Sequence, residues 1–272
     1  MRFLARLLAA ALVTGCAATT TQSAFEFRPR DVPLRYRIKT EERTVVETPA
    51  GADESHNTLE VTVRLEIRPG KADVLHATAV FEAFEASASG PVGGTVEDGD
   101  LVGLRYTGTL EPNGQIALAE GLETPESVEA FFDPRAFLAE LLMPLPPAEH
   151  RGAASWPVHW ENTFNTALSV RSALHGTARV VGDTTWGGMK ARLIELEGET
   201  DLWGRGTPLG GTTEIELAAT GSATARFLCD VARGVMLYAA WEGQFSGNIT
   251  VPGTDVTIPV QVTSTQTTEL AR

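Results

Sequence analysis

The stretch Leu59-Glu60-Val61-Thr62-Val63-Arg64-Leu65-Glu66-Ile67-Arg68 decides the fold class. Five apolar residues alternate with five polar ones. A period of two sends successive side chains to opposite faces, so this is a strand with one dry face and one wet face, as in an antiparallel sheet. The pattern extends outward in both directions. Leu34 to Val46 alternates Tyr36 and Ile38 with Arg35, Arg37 and Lys39. Val74 to Ala86 predicts another strand, reached through the turn Pro69-Gly70-Lys71-Ala72. Ser87 to Gly99 is a Gly/Ser/Pro-rich loop. Leu101 to Leu110 and Gln115 to Ala119 form a hairpin across Glu111-Pro112-Asn113-Gly114, because Asn-Gly tolerates the positive φ that such turns need.

The period changes near the middle of the chain. Thr124-Pro125-Glu126-Ser127 opens a helix, with Thr124 as cap, Pro125 in the first turn and Glu126 complementing the dipole. Phe131, Phe132, Phe137, Leu138, Leu141 and Leu142 give it an apolar face. Asp133-Pro134 divides it into two short helices, and Pro144, Pro146 and Pro147 end it. From Ser155-Trp156 the period of two returns. Strands are expected at Ser169 to Val181 and Lys190 to Glu199, with Thr212 to Ala219 leading into a third. Ala223 to Cys229 and Val235 to Trp241 read as a hairpin. Phe245 to Val251 and Val256 to Thr265 read as a final pair joined by Pro252-Gly253-Thr254-Asp255.

The expected fold is mainly β: an antiparallel curved sheet of about ten to twelve long strands, a half-barrel or sandwich, with a short helical insertion near the middle. The chain divides into a leader (1–15), a flexible tether (16–30), a first β-rich half (31–123), a helical and Pro-rich linker (124–150) and a second β-rich half (151–272). The two halves share an outline that suggests duplication, without a residue-level repeat.

The leader says where the protein works. Arg2 and Arg6 are followed by the apolar run Leu7 to Val13, too short for a spanning helix, and by Val13-Thr14-Gly15-Cys16. This box resembles the lipobox of bacterial lipoproteins, with Val13 in place of the usual leucine. The resemblance covers only the leader. It implies cleavage between Gly15 and Cys16, a diacylglycerol on the Cys16 thiol and acylation of the new amino terminus. Several acyl chains anchor far better than one. It also implies the cell envelope, and the outer membrane of a two-membrane host, because Ala17 replaces the aspartate that marks inner-membrane retention. Ala17 to Ala24 is small and polar, as a tether requires.

Removing the leader leaves 257 of 272 residues and moves the formal charge from −13 to −15. Such an acidic body excludes nucleic acid as a partner, since phosphate contacts need Lys and Arg patches. With Cys16 lipidated, Cys229 has no partner for a disulfide and reads as a small buried hydrophobe on a strand. The body also resembles, loosely, two groups. One is a set of uncharacterised bacterial envelope proteins with long strands and a mid-chain proline segment, here Met143-Pro144-Leu145-Pro146-Pro147 before Trp156. The other, in architecture only, is the half-barrel of lipoprotein carriers.

No catalytic motif is present. There is no Gly-x-Ser-x-Gly elbow, and the glycine-rich runs lack a phosphate-binding lysine. His159 and Glu161 share a strand face, but no third ligand is identifiable, so no metal and no cofactor are expected. The leading functional expectation is therefore a non-catalytic binding or structural module. Its partners are the membrane, through the lipid, and an apolar small molecule, peptide or envelope protein. Phe131, Phe132, Leu138, Trp156 and Trp160 are the candidate lining residues. The alternative is an envelope hydrolase acting on glycan or lipid, motivated by location, by the tryptophans and by the His159/Glu161 pair.

Overall fold

The computed structural model describes residues 25–70, 74–89, 94–96, 101–111, 114–119, 132–166, 168–208 and 211–271. Its twelve strands are β1 (Leu34–Thr48), β2 (Gly51–Pro69), β3 (Leu75–Ser89), β4 (Gly94–Val96), β5 (Arg105–Leu110), β6 (Ile116–Leu118), β7 (Ser155–Asn165), β8 (Leu168–Trp186), β9 (Met189–Gly206), β10 (Ile215–Asp230), β11 (Val235–Thr250) and β12 (Thr257–Leu270). All belong to one antiparallel sheet in the order β6-β5-β3-β2-β1-β12-β11-β10-β9-β8-β7, with β4 beside β3. The sheet is open, with β6 and β7 at its two ends. The two expected halves are thus parts of one sheet, joined where β1 pairs with β12.

The strands are long because each does two jobs. At one end their inner face is packed. Tyr36, Ile38, Val61, Val63, Leu65, Ile67, Phe81, Phe227 and Leu196 are all buried there, each large apolar side chain contributing about 1.5–3 kcal/mol. At the other end the same face carries half-buried residues such as Thr44, Val46, Phe245 and Ile249. Three register shifts lie toward the packed end, at Thr62/Val63, Val180/Gly182 and Leu228/Cys229. An extra residue on one strand bends it and sharpens the local twist, so the sheet curls at that end.

The curl is filled by the segment after residue 131. Helix α1 (Pro134–Ala139) touches β6 on one side and β7 on the other, spanning the gap between the sheet's ends. Asp133 caps it, its carboxylate accepting from the amides of Arg135 at 2.9 Å and Ala136 at 3.0 Å. Its second oxygen accepts from the amide of Asn165 at 2.8 Å, and the Asn162 amide donates to the Ala136 carbonyl at 2.9 Å. These bonds fasten α1 to β7. Leu138, Leu141, Leu142 and Met143 are buried beneath it, and the Cys229 thiol lies 3.2 Å from the Met143 sulfur.

Five expectations change. Residues 25–30 are not tether: Phe25 and Phe27 are buried with their rings edge-on at 5.0 Å, and the Arg30 amide donates to Ile67 at 2.9 Å. Leu101 to Gly103 is a turn, and the strand begins only at Arg105. The stretches 215–219 and 223–229 belong to one β10, with 212–214 lying before it, and 235–241 and 245–250 run together as β11. Within the expected 87–99 loop, 87–89 continue β3 and 94–96 form β4, and the rest lies outside the described residues, as do the helix start at Thr124 and Lys71-Ala72 and Pro112-Asn113 of the expected turns.

Asp133→Ala removes the cap and one anchor of α1 together. The expected loss is about 1–2 kcal/mol, read as a lower urea midpoint with unchanged slope.

Candidate functional site

The inner face of β7–β10 is the region where unsatisfied chemistry gathers. Trp156 and Trp160 both point inward from β7, by alternation with exposed Ser155, Pro157, His159 and Glu161. They are only 3% and 5% exposed. Trp160 pairs with Leu174 on β8, which pairs with Thr200 on β9, so Trp160 and Thr200 share one row across the sheet. Thr200 is a buried polar residue, 5% exposed. The indole N–H groups of Trp156 and Trp160 and the Thr200 hydroxyl have no hydrogen-bond partner among the described residues. Leaving a buried donor unpaired costs about 1–3 kcal/mol, so each such group calls for an explanation.

Between the Trp156 row and the Trp160 row runs Val158–Gly176–Gly198–Ala223–Gly243–Ser264. Beyond Val158 this row carries almost no side-chain volume. Glycine is required there by the neighbouring backbone: a Cβ on Gly198 would stand 2.7 Å from the His175 carbonyl oxygen, and one on Gly176 2.6 Å from that of Glu197. The row lets neighbouring backbone and the Leu174 and Phe245 side chains pack close against it. Trp241 is edge-on to Trp160 at 6.1 Å and to Phe227 at 5.6 Å.

Of the sequence-derived lining residues, Leu138, Trp156 and Trp160 lie in one continuous hydrophobic cluster, with Phe132 packed against it. Phe132 stacks with Phe137 at 5.1 Å and Phe84 at 5.2 Å, and Leu138 is wholly buried, so both fill the curl. Phe131, Gly15 and Cys16 lie outside the described residues. Cys229 is buried, and desolvation pushes its thiol pKa up, which keeps it in the unreactive neutral form.

Sequence reasoning missed Thr200, Glu140 and the partner of His159. That partner is His175, directly opposite on β8, with Nδ1 atoms 3.0 Å apart on the outer face. Its only signal was the register of a hairpin centred on residue 167. Glu161 Oε1 stands 3.4 Å from His159 Nε2, while its Oε2 accepts from the Arg171 guanidinium at 2.8 Å, which holds the carboxyl below the usual range. Among the described residues no three metal-ligating side chains converge. A separate groove of about 420 Å³ runs between the β8–β9 turn and the end of β12, lined by Arg37, Trp186, Glu269 and Leu270.

Glu140, the residue that caps the end of α1, is half-buried beside Asn162. Burial pushes its carboxyl from the ordinary 4.5 up to about 7, against the opposing pull of the Asn162 hydrogen bond.

No protein-family model matches the chain, and no curated protein is similar to it. Among solved structures, a loop-L8 deletion mutant of OmpT, an outer membrane protein of Vibrio cholerae, aligns over 86% of this chain and 98% of its own at 8% identity. Its TM-score is 0.16, a value that carries no inference about fold or function.

Because the folded chain prefers Glu140 protonated, its contribution to stability is complete below about pH 4.5 and lost as pH rises through about 7. Glu140→Gln should remove that slope. Its advantage over the wild type should grow from pH 5 upward and reach about 2 kcal/mol by pH 8, measured by urea denaturation at several pH values.

Proposed function

We propose that this chain is a lipid-anchored protein of the bacterial envelope, and that the concave side of its sheet binds an apolar molecule bearing hydrogen-bond acceptors. The observation that carries the binding part is the set of buried, unpaired donors of Trp156, Trp160 and Thr200 around a row of small residues. An acyl chain with a carbonyl or ester, or a peptide with its amide oxygens, matches that chemistry: apolar contact for the indole faces, an acceptor for each N–H. The long strands support the same reading. The packed end holds the fold, and the half-buried end of the same face remains free of that duty. The anchor rests on Arg2, Arg6 and Val13-Thr14-Gly15-Cys16, followed by a short polar run before the body begins at Phe25.

The sign of one substitution tests the binding site. In Trp160→Phe the unpaired N–H is gone and the ring volume largely kept. The ligand-free protein should be as stable as wild type or more so, while native mass spectrometry of envelope-extracted full chain should show less co-purified small molecule. Absence of any such molecule from the wild type, together with destabilisation by Trp160→Phe, would overturn the reading. The anchor has its own test. Cys16→Ser should abolish incorporation of radiolabelled palmitate and release the protein from sedimented vesicles; retention of both would refute lipidation.

A further inference from the structure

The paired histidines on the outer face of β7 and β8 have the geometry of a metal chelate. His159 and His175 are direct cross-strand partners, both exposed, with ring centroids 4.4 Å apart and Nδ1 atoms separated by 3.0 Å. Two imidazole nitrogens bound to one ion at about 2.0–2.1 Å lie about 2.9 Å apart at a right angle and about 3.4 Å apart at a tetrahedral angle. The observed separation therefore fits cis coordination, the arrangement that tetragonal Cu(II) or Ni(II) adopts.

The surroundings favour a cation. On β9, Glu199 stands opposite His175, and Glu197 and Asp201 occupy the same exposed face on either side of it. These carboxylates make the face acidic without converging on the pair as a third ligand. Glu161 adds a further carboxylate on the β7 side, partly neutralised by Arg171. Without a metal, the short Nδ1–Nδ1 contact requires one ring to donate its proton to the other. A divalent ion would replace that proton and satisfy both nitrogens at once.

We infer that His159 and His175 form a two-imidazole surface site for a divalent transition metal, of the Cu(II) class, with water completing the coordination and the acidic residues of β9 supplying a favourable field. The site needs no interior cavity and stands apart from the concave face. Because β7 is the last strand of the sheet, the ion would also cross-link that edge to β8.

The test uses the full detergent-solubilised chain without a polyhistidine tag. Titration calorimetry with Cu(II), and separately Zn(II), should show uptake of one ion per chain, with Cu(II) the tighter. Electron paramagnetic resonance of the Cu(II) form should show nitrogen superhyperfine structure from two imidazoles. Either His159→Gln or His175→Gln should weaken binding by about tenfold or more, and Glu199→Gln by less. Affinity should also fall on acidification, because protons compete with the ion for the ring nitrogens. Both histidines are exposed, so the variants should retain the wild-type circular dichroism spectrum. No uptake by the wild type, or equal affinity in the doubly substituted chain, would overturn the inference.

Discussion

β1 and β12 run antiparallel along eleven residues, from Tyr36–Leu270 to Val46–Val260, and this one ladder joins everything else. On one side of it lie β2, β3, β5 and β6. On the other lies the meander β11 to β7. Each group alone would be a half-sheet with an unpaired inner edge and half of its apolar face uncovered. The ladder is secured at its packed end by Tyr36, whose buried hydroxyl donates to the Met236 carbonyl on β11 at 3.0 Å. It is further secured by the Ala271 amide, which donates to Arg35 at 2.8 Å. Once the two groups are joined, the sheet is wide enough to curl until α1 can touch both ends.

The strands were legible wherever one face is dry and the other wet, because charge cannot be placed inward at the packed end. The regular Arg/Glu alternation of β1 and β2 is the visible half of that rule. Ion pairs such as Arg35–Glu82 and Arg43–Glu54 decorate the wet face, but exposed pairs contribute about 0–1 kcal/mol each. They mark the outer face more than they hold it. Glycine obscured the true strand lengths. Gly221 and Gly243 resemble strand ends in sequence, yet both sit mid-strand on the inner face. A Cβ on Gly221 would stand 2.0 Å from the Gln244 carbonyl oxygen. The backbones of β10 and β11 approach so closely there that only hydrogen fits. Local propensity and tertiary crowding pull in opposite directions at the same residue, and crowding wins.

The candidate sites were legible only in part, for a different reason. Trp156, Trp160 and Leu138 could be chosen by residue type and proximity to the linker. Thr200 and His175 could not, since their roles depend on which residue lies opposite them two strands or one strand away. Sequence spacing fixes the face of a strand. It does not fix the register between strands until the turn is known. The same limit hid Glu140, whose raised pKa follows from burial at the end of a helix fastened to β7, and nothing within its own segment announces that.

The central ladder also sets a calendar. Its partners are separated by over two hundred positions, so the seam of the sheet waits for the final dozen residues. Chains dominated by such remote pairings fold slowly, because loop entropy is spent before contacts reward it. A polypeptide emerging from the ribosome amino end first would pair β1 with β2 early and leave the other edge of β1 open until β12 had been made. The architecture therefore postpones its own seam: two half-sheets form first, and the ladder that unites them comes last.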